Sequence, residues 1–365
     1  MRVIRAAATI RASLHRELLC CVPYRSGWRD RSTAGVRQCW PEMQGKEPDT
    51  MPEMRYGIAL STQQSTWATF EATARFVDQL GYDTLLADDH LYADMGAIDQ
   101  PKHEAWTAVA ALAPITGRVR LGHYVLANTF RNPGLVVKSA VTLDHISNGR
   151  AILGIGAGWF EAEHRAFGLD FGSGFGERLD WLDEAAGIMR ALLDGETLTH
   201  AGPRYRTHEL KINPLPVQKR LPILIGGAGE KKTLRSVARY ADIWHTFTHP
   251  LEDMRRKVDL LEQYCAEVGR NPAEIERSLS PVMLIIRDDP AEARKAYEAI
   301  AAYNHADPAP ALARREPFFG PPESIAERLR PYLDLGFTHI IGDFYPPFDH
   351  ETFERLIGEV GPLLE

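Results

Sequence analysis

Short apolar runs alternate with longer amphipathic stretches from residue 55 to the end of the chain. Short apolar runs bounded by turn residues are typical of buried strands, and a period near 3.6 residues is typical of helices. Strands are predicted at Tyr56–Ser61, Asp83–Ala87, Val119–Ala127, Ala151–Ile155, Ile223–Ile225, Asp242–Phe247, Leu279–Ile286 and Thr338–Gly342. Helices are predicted at Thr66–Leu80, Glu104–Thr116, Pro133–Ile146, Arg178–Leu193, Lys231–Tyr240, Met254–Val268, Ala291–Tyr303, Ile325–Leu335 and Phe353–Leu363.

This alternation indicates a parallel sheet covered by helices. About eight strand–helix units favour a (β/α)8 barrel of the TIM type, and a doubly wound open sheet is the second interpretation. Residues 197–210 are predicted to form a small inserted hairpin, and residues 307–322 a connecting loop. In either fold the ligand binds at the carboxyl ends of the strands, so residues that follow a strand become site candidates.

Two predicted strands end in glycine-rich segments. Gly154, Gly156 and Gly158 alternate at the end of one strand, and Gly226-Gly227-Ala228-Gly229 follows another, directly before a predicted helix. Glycine lets backbone N–H groups approach a flat or anionic ligand, and N–H groups at a helix N-terminus suit a phosphate. The alternative is that these glycines only allow tight turns.

Two further strands carry candidate chemistry. Asp88, Asp89 and His90 follow the second predicted strand, where a histidine could hold or move a proton near neutral pH. The alternative is a surface loop in which an aspartate caps a turn. Gly122, inside the third predicted strand, indicates a bulge or a close backbone approach, although an ordinary barrel strand also fits.

Other signals are weaker. Glu161, Glu163 and His164 resemble metal ligands, but they lack the spacing of a known motif and are predicted to form a solvent-exposed helix face. Most tryptophans are core candidates, whereas Trp159 and Trp244 each lie at a strand end and are treated as exceptions.

Composition restricts the class of function. The chain has 365 residues and a net charge of −7, and no apolar run approaches the length of a membrane span. Residues 1–53 carry a net charge of +3 and the remainder −10, so the main body offers no basic surface for nucleic acid. Residues 54–365 contain a single cysteine, Cys265, which excludes a disulfide framework there and fits the cytoplasm.

The first 53 residues differ from the rest of the chain. They contain eight arginines and have no hydrophobic period. They are predicted to be an upstream extension, disordered or assigned to the wrong start codon, and a targeting peptide is the alternative. Met54 is therefore predicted to begin the barrel domain, which extends over residues 54–365.

The sequence resembles the luciferase-like flavin oxidoreductases, which are (β/α)8 barrels with an insertion. The resemblance covers roughly residues 55–305. Its motifs are similar to those of the branch that uses coenzyme F420, an 8-hydroxy-5-deazaflavin. It is carried by residues 85–90, 104–106, 119–122, 131–133, 138–144, 147–158, 161–168, 226–235 and 238–244.

The resemblance implies roles for individual residues. His90 would stand beside the reactive face of the cofactor ring as the catalytic residue, and Tyr124–Val125 would form a bulge behind the ring, in several members a non-proline cis peptide. Trp159 replaces the glutamate acid of the family's sugar-phosphate dehydrogenases, which argues against the same chemistry. Trp159 and His245 are the substrate-pocket candidates. Further cofactor contacts are implied for Asp89, Asn128, Gly156, Ala157, Gly158, Gly226, Gly227 and Gly229, the last three at the phosphate.

The resemblance implies an enzyme that transfers a hydride between F420 and a small organic substrate. The alternatives are a monooxygenase that uses reduced FMN and a flavin-binding protein without turnover. The family also implies a homodimer. Residues 91–103 and 307–320 are expected to cover the pocket, and such loops are too variable to name the substrate.

Overall fold

Eight parallel strands form a closed barrel in the computed structural model, which describes residues 53–365. Strand β1 pairs with both β2 and β8, and the pairing of β3 with β4 closes the ring. The third strand is interrupted and continues at Leu126–Ala127. The (β/α)8 prediction is therefore confirmed. The barrel strands are β1 Arg55–Leu60, β2 Thr84–Ala87, β3 Arg120–His123, β4 Ala151–Gly156, β5 Ile223–Gly226, β6 Ile243–Phe247, β7 Glu276–Ser280 and β8 Phe337–Phe344.

Helices cover the outside of the barrel. The inserted hairpin pairs Leu198–Ala201 with Arg206–Leu210 in antiparallel fashion, as predicted. No helix within residues 53–365 is long and apolar enough to cross a membrane. The prediction for residues 1–53 falls outside the described residues except at residue 53. The α-helices are Trp67–Leu80, Ala105–Leu112, Pro133–Ile146, Glu161–Phe167, Phe175–Leu193, Thr233–Tyr240, Leu251–Glu267, Pro290–Tyr303, Ala309–Arg314, Pro322–Leu333, His350–Arg355 and Gly361–Leu364.

Local signals determine where several helices begin and end. The side chain of Thr66 accepts a hydrogen bond from the Thr69 N–H at the start of the first helix, and Gly81 ends that helix with a φ of 89°. Asn132 caps the helix that Pro133 begins. These ends match the sequence prediction because capping depends only on residues within one turn.

The barrel interior is layered. Because alternate residues of a strand share a face, the residue two positions after each inner apolar residue lies one layer nearer the carboxyl ends. The inner apolar layer consists of Ala59, Leu86, Ile152, Leu224, Ile243 and Ile341. The positions above it are Ser61, Asp88, Gly154, Gly226, His245 and Asp343. A layer of polar residues and glycines therefore separates the apolar core from the carboxyl end of the barrel.

The predicted strand Leu279–Ile286 has the wrong bounds, although it overlaps the strands Glu276–Ser280 and Ile285–Ile286. The seventh barrel strand is Glu276–Ser280, which pairs with β6 and β8. It contains no continuous apolar run because its alternate positions are the polar residues Glu276, Ser278 and Ser280, each hydrogen bonded to another strand.

The predicted loop at residues 307–322 is also wrong in part. It contains the helix Ala309–Arg314 and the strand Phe319–Gly320, which pairs with Ile285–Ile286. A two-residue strand has too little sequence to produce a periodic pattern, so only the tertiary structure reveals it.

Trp244 is a core residue rather than a site residue. It is fully buried, and its ring centroid lies 5.3 Å from that of Phe337. Its position on β6 points its side chain away from the barrel axis, between the sheet and the helices. The location of Trp244 at a strand end did not predict this orientation. Trp159, by contrast, is 60% exposed.

Candidate active site

A cavity of about 630 Å³ opens at the carboxyl ends of the strands. The structure brings nearly all of the predicted site residues together around it: Asp89, His90, Tyr124, Val125, Gly156, Ala157, Gly158, Trp159, Gly226, Gly227, Gly229 and His245. Asn128 is the exception. It is buried away from this lining, and its amide donates a hydrogen bond to the Tyr205 hydroxyl at 3.1 Å.

His90 lies between two carboxylates. Its Nδ1 is 3.1 Å from Oε1 of Glu163, and its Nε2 is 3.8 Å from Oδ2 of Asp94. Burial alone would lower the pKa of His90, but the hydrogen bond to Glu163 and the charges of Asp94 and Asp88 outweigh it and raise the pKa above 6.5. The imidazolium form therefore persists to a higher pH than in an exposed histidine.

The prediction of a solvent-exposed face for Glu163 and His164 is wrong. Glu163 is buried and also accepts a hydrogen bond from the Leu91 N–H at 2.8 Å. His164 is buried as well, with Nε2 2.6 Å from the Thr129 hydroxyl. The helix Glu161–Phe167 has only seven residues, which is too short for a hydrophobic period to show which side faces the barrel.

Asp88 and Lys102 form a buried ion pair beside His90. Asp88 also accepts hydrogen bonds from the Ser61 hydroxyl at 3.0 Å and the Thr62 N–H at 3.1 Å. Burial opposes both charges, but their mutual attraction lowers the pKa of Asp88 and raises that of Lys102. Lys102 also lies 3.5 Å from Asp94. The segment 91–103, expected to cover the pocket, is thus attached to the barrel.

Asp89 positions the backbone of the third strand beneath the cavity. Its carboxylate accepts two hydrogen bonds from Arg131, at 2.7 and 2.9 Å, and one from the Ala127 N–H at 2.9 Å. A bidentate contact of this kind fixes the orientation of the carboxylate and also balances its charge. Asp89 therefore holds the segment after the third strand, which includes the residues that line the cavity.

The third strand is interrupted at Tyr124–Val125, where the peptide bond is cis. The Tyr124 hydroxyl donates a hydrogen bond to Ser280 at 2.7 Å. A Cβ at Gly156 would lie 2.8 Å from a Val125 methyl, and one at Gly226 would lie 3.1 Å from it. These two glycines are required because the Val125 side chain occupies the space above them.

The second glycine segment leaves backbone donors available. The Gly227 N–H is already bonded to the His245 carbonyl at 2.9 Å, and its φ of 127° favours glycine. Among the described residues, no acceptor is bonded to the N–H groups of Ala228 and Gly229. Both line the cavity with Thr233, which begins the helix Thr233–Tyr240. This end of the cavity suits an anion.

His245 is a neutral residue of the cavity floor. Burial lowers its pKa to about 3, with a further contribution from the charge of His339. Its Nδ1 lies 2.5 Å from the Ser278 hydroxyl, and no described residue bonds to its buried Nε2. This nitrogen is buried, so it is not exposed to a molecule bound in the cavity.

Sequence reasoning missed four residues of the site: Asp94, Lys102, Glu163 and Asp343. Asp343 follows an apolar run at the end of β8, a signal that could have identified it in the same way as Asp88. Burial raises its pKa to about 8, and the charges of Asp94 and Asp88 add to this effect. Asp94 and Lys102 lie in a polar loop without any pattern, so only the structure could reveal them.

Known proteins are similar to this chain in sequence and in fold. The model of the luciferase-like monooxygenase family matches residues 54–339. The chain belongs to this family. Proteins of similar sequence include an F420-dependent glucose-6-phosphate dehydrogenase from Microbacterium testaceum, which is 28% identical over 85% of this chain and 96% of its own length.

Two solved structures illustrate the range of the fold. An F420-dependent secondary alcohol dehydrogenase in complex with an F420–acetone adduct has a TM-score of 0.72 and 19% identity, over 86% of this chain and 99% of that chain. The oxygenating constituent of 3,6-diketocamphane monooxygenase from Pseudomonas putida, in complex with FMN, has a TM-score of 0.66 and 17% identity. The second match covers 85% of this chain and 98% of that one.

Proposed function

We infer that this protein is an F420-dependent oxidoreductase that transfers a hydride between the deazaflavin and a small organic substrate. The observation that carries this inference is the division of one cavity into two ends. His90, with its proton held by Glu163, lies at one end, and the glycine segment with its free N–H groups lies at the other. The F420-dependent relatives support the choice of cofactor.

The residues present fit a phosphorylated tricyclic cofactor. The N–H groups of Ala228 and Gly229, with the Thr233 hydroxyl, would hold the phosphate at the helix N-terminus. Gly156 and Gly226 bring no side chain into the cavity, and Val125 would support one face of the ring. When bound, the deazaflavin supplies or accepts the hydride, and the protein positions it.

His90 would then act beside the reacting centre. Its imidazolium can donate a hydrogen bond or a proton to a group that gains negative charge as the hydride moves. Glu163 holds the ring through Nδ1, which leaves Nε2 on the side of Asp94. Trp159 packs edge-on against His90, with ring centroids 5.2 Å apart, and forms an exposed wall for the substrate.

A monooxygenase that uses reduced FMN is the second candidate. Two findings favour it: the matching family is described as luciferase-like monooxygenases, and one protein of similar fold is a monooxygenase in complex with FMN. The same glycine segment would bind the FMN phosphate, so the two candidates differ in the ring that the cavity accepts and in whether oxygen is consumed.

A titration with each cofactor tests the proposal. We expect F420 to quench the tryptophan fluorescence of the full-length protein at a Kd at least about tenfold lower than FMN. Trp159 lines the cavity, so Trp159→Phe should remove most of the quench, whereas Trp67→Phe, on an outer helix, should not. Tighter binding of FMN, with substrate-dependent oxygen consumption, would establish the monooxygenase instead.

A homodimer in the cytoplasm remains part of the proposal. Exposed apolar side chains are compatible with a partner surface, among them Leu135 on the helix Pro133–Ile146, which is 66% exposed.

A further inference from the structure

We propose that Asp343 exchanges a proton with the reacting oxygen of the substrate, which is an uncharged carbonyl compound or the corresponding alcohol. This inference rests on the proposed function and adds a catalytic residue and a substrate class to it. Four kinds of observation carry it: the position of Asp343 in the barrel, its lack of a partner, the charges around it and the chemistry of the reaction.

The strand pattern places Asp343 in the reactive end of the cavity. Ile341 belongs to the inner apolar layer, and Asp343 lies two residues further along the same strand face. In the ring of strands, β8 is separated from β2, which leads to His90, only by β1. The glycine segment after β5 lies on the opposite side of the barrel. A cofactor bound by its phosphate there would extend its ring toward Asp343 and His90.

Among the carboxyl groups that line the cavity, that of Asp343 has no partner within the described part of the chain. Asp88 is paired with Lys102, Asp89 with Arg131, and Glu163 with His90. Asp94 accepts a hydrogen bond from the Tyr345 hydroxyl at 2.8 Å. Within residues 53–365, no donor is bonded to the Asp343 carboxyl, which lines the cavity and is partly accessible. Its hydrogen-bonding capacity is therefore available to a substrate.

The surroundings keep this carboxyl protonated near neutral pH. Burial and the nearby negative charges raise its pKa to about 8. An acid in this state can donate a hydrogen bond to a carbonyl oxygen and then transfer its proton. The titratable groups that face it are Asp88, His90, Asp94, Lys102, Tyr124 and Tyr345.

The proposed step balances. In the reductive direction the substrate's carbonyl carbon accepts a hydride, which the reduced deazaflavin supplies, and its oxygen accepts the proton of Asp343. The π bond of the carbonyl breaks, one C–H and one O–H bond form, and the Asp343 carboxylate regains a proton from solvent. Oxidation of the alcohol is the reverse, with ionised Asp343 as the base and the oxidised deazaflavin as the hydride acceptor.

The charges of the cavity select against an anionic substrate. Five carboxyl groups line it, those of Asp88, Asp89, Asp94, Glu163 and Asp343. The buried cation beside them, Lys102, is already shared by Asp88 and Asp94. Asp343 is protonated, and Asp89 and Glu163 are paired with Arg131 and His90, so the described residues of the site leave no unpaired cation to offset the charge of a carboxylate or phosphate on the substrate. A ketone or secondary alcohol needs no such cation.

The test uses full-length wild type, Asp343→Asn and the control Asp259→Asn, which changes an exposed aspartate on an outer helix. The probes are acetone, cyclohexanone and acetophenone with reduced F420, and the keto acids pyruvate and phenylglyoxylate. We expect the wild type to reduce the ketones with a higher kcat/KM than the keto acids. Asp343→Asn should lower kcat by about 10²–10⁴-fold with little change in F420 affinity, since asparagine donates a hydrogen bond but no proton.

A second measurement does not depend on turnover. Because the folded protein holds the Asp343 proton up to about pH 8 and the unfolded chain releases it near 3.8, wild-type stability falls as the pH rises between these values. The Tm of Asp343→Asn should therefore rise relative to the wild type from pH 5 to 8 and then level off, whereas Asp259→Asn should follow the wild type.

The outcomes separate this inference from the proposed function. Failure of the wild type to bind F420 contradicts the proposed function. Tight F420 binding with unchanged ketone reduction in Asp343→Asn contradicts the role of Asp343 alone, as does a Tm difference that is independent of pH. Faster reduction of the keto acids, or no reduction of any of the ketones, contradicts the substrate class.

Discussion

The ionisation of His90 depends on a residue that lies 73 positions away in the sequence. Glu163 is 1% exposed, and its carboxylate Oε1 lies 3.1 Å from Nδ1 of His90. The hydrogen bond between the two side chains therefore opposes the desolvation of the imidazolium. At the scale of single residues, the site is built from pairs of this kind, in which one side chain fixes the charge of the other.

Replacing Glu163 by glutamine should lower the pKa of His90, because burial would no longer be opposed by this carboxylate. A histidine with a raised pKa stabilises the fold below the unfolded value of 6.5, and this contribution disappears as the pH rises through the folded pKa. We therefore expect Glu163→Gln to lose most stability relative to the wild type below about pH 6.5. An NMR titration of the His90 ring measures the pKa directly.

Two variants complete this experiment. Glu161→Gln, on an exposed position of the same helix, should leave the His90 titration unchanged. His90→Ala should bind F420 nearly as well as the wild type and lose about 10²–10⁴-fold in turnover. An unchanged His90 pKa in Glu163→Gln would remove the argument for charge control, and loss of F420 affinity in His90→Ala would make this residue a binding contact.

At the scale of elements, the anion end of the cavity is made by a strand, a glycine segment and a helix in succession. The Trp244 indole donates a hydrogen bond to the Gly227 carbonyl at 2.9 Å, so β6 also holds the segment from below. A Cβ at Gly229 would lie 2.7 Å from the Thr233 hydroxyl. Glycine is needed there because the first side chain of the helix occupies the space, and that hydroxyl lies beside the free N–H groups.

Thr233→Val should weaken the binding of phosphorylated cofactor, because valine keeps the shape of threonine and removes its donor. A hydrogen bond to a charged group contributes about 1.5–3 kcal/mol, so we expect a loss of about 10- to 100-fold in F420 affinity. The affinity for the phosphate-free 8-hydroxy-5-deazariboflavin should not change. The exposed control is Thr142→Val, on a different helix. Equal weakening of both ligands by Thr233→Val would show that the hydroxyl only stabilises the loop.

At the scale of the whole molecule, the first and last strands of the barrel are paired with each other. Six residues of β1, from Arg55 to Leu60, pair in register with His339 to Phe344 of β8. The pairing begins at residue 55, and the family match begins at residue 54. The pairings that complete the ring are thus made by residues within 55–344.

A chain that starts at Met54 should fold and bind F420 as well as the full-length protein. The expected difference in Tm is no more than a few degrees, because β1 and its two pairing partners are retained. Differential scanning calorimetry and a fluorescence titration measure the two properties. A chain that starts at Ile58 is the control, since it removes half of β1 and should not fold. A soluble full-length protein with an insoluble Met54 variant would contradict the expectation.

Several features could be predicted from the sequence because they depend on neighbouring residues. Helix ends at Gly81 and Pro133, the inserted hairpin and most barrel strands follow from local caps and periods. The sequence also predicted that His90 and the glycine segments lie together, since the carboxyl ends of all strands of a barrel lie on one side.

The sequence by itself thus determined the class of fold and the side of the barrel on which the site lies. The tertiary structure alone decided that Asn128 and Trp244 lie outside the cavity lining, because Asn128 lies in the turn after the third strand and bonds to Tyr205, and Trp244 lies on the outer face of β6. It alone placed Glu163 and Asp343 beside the reactive end. Their burial and their charged neighbours come from segments far apart in the chain, and a pKa depends on what surrounds a group in space.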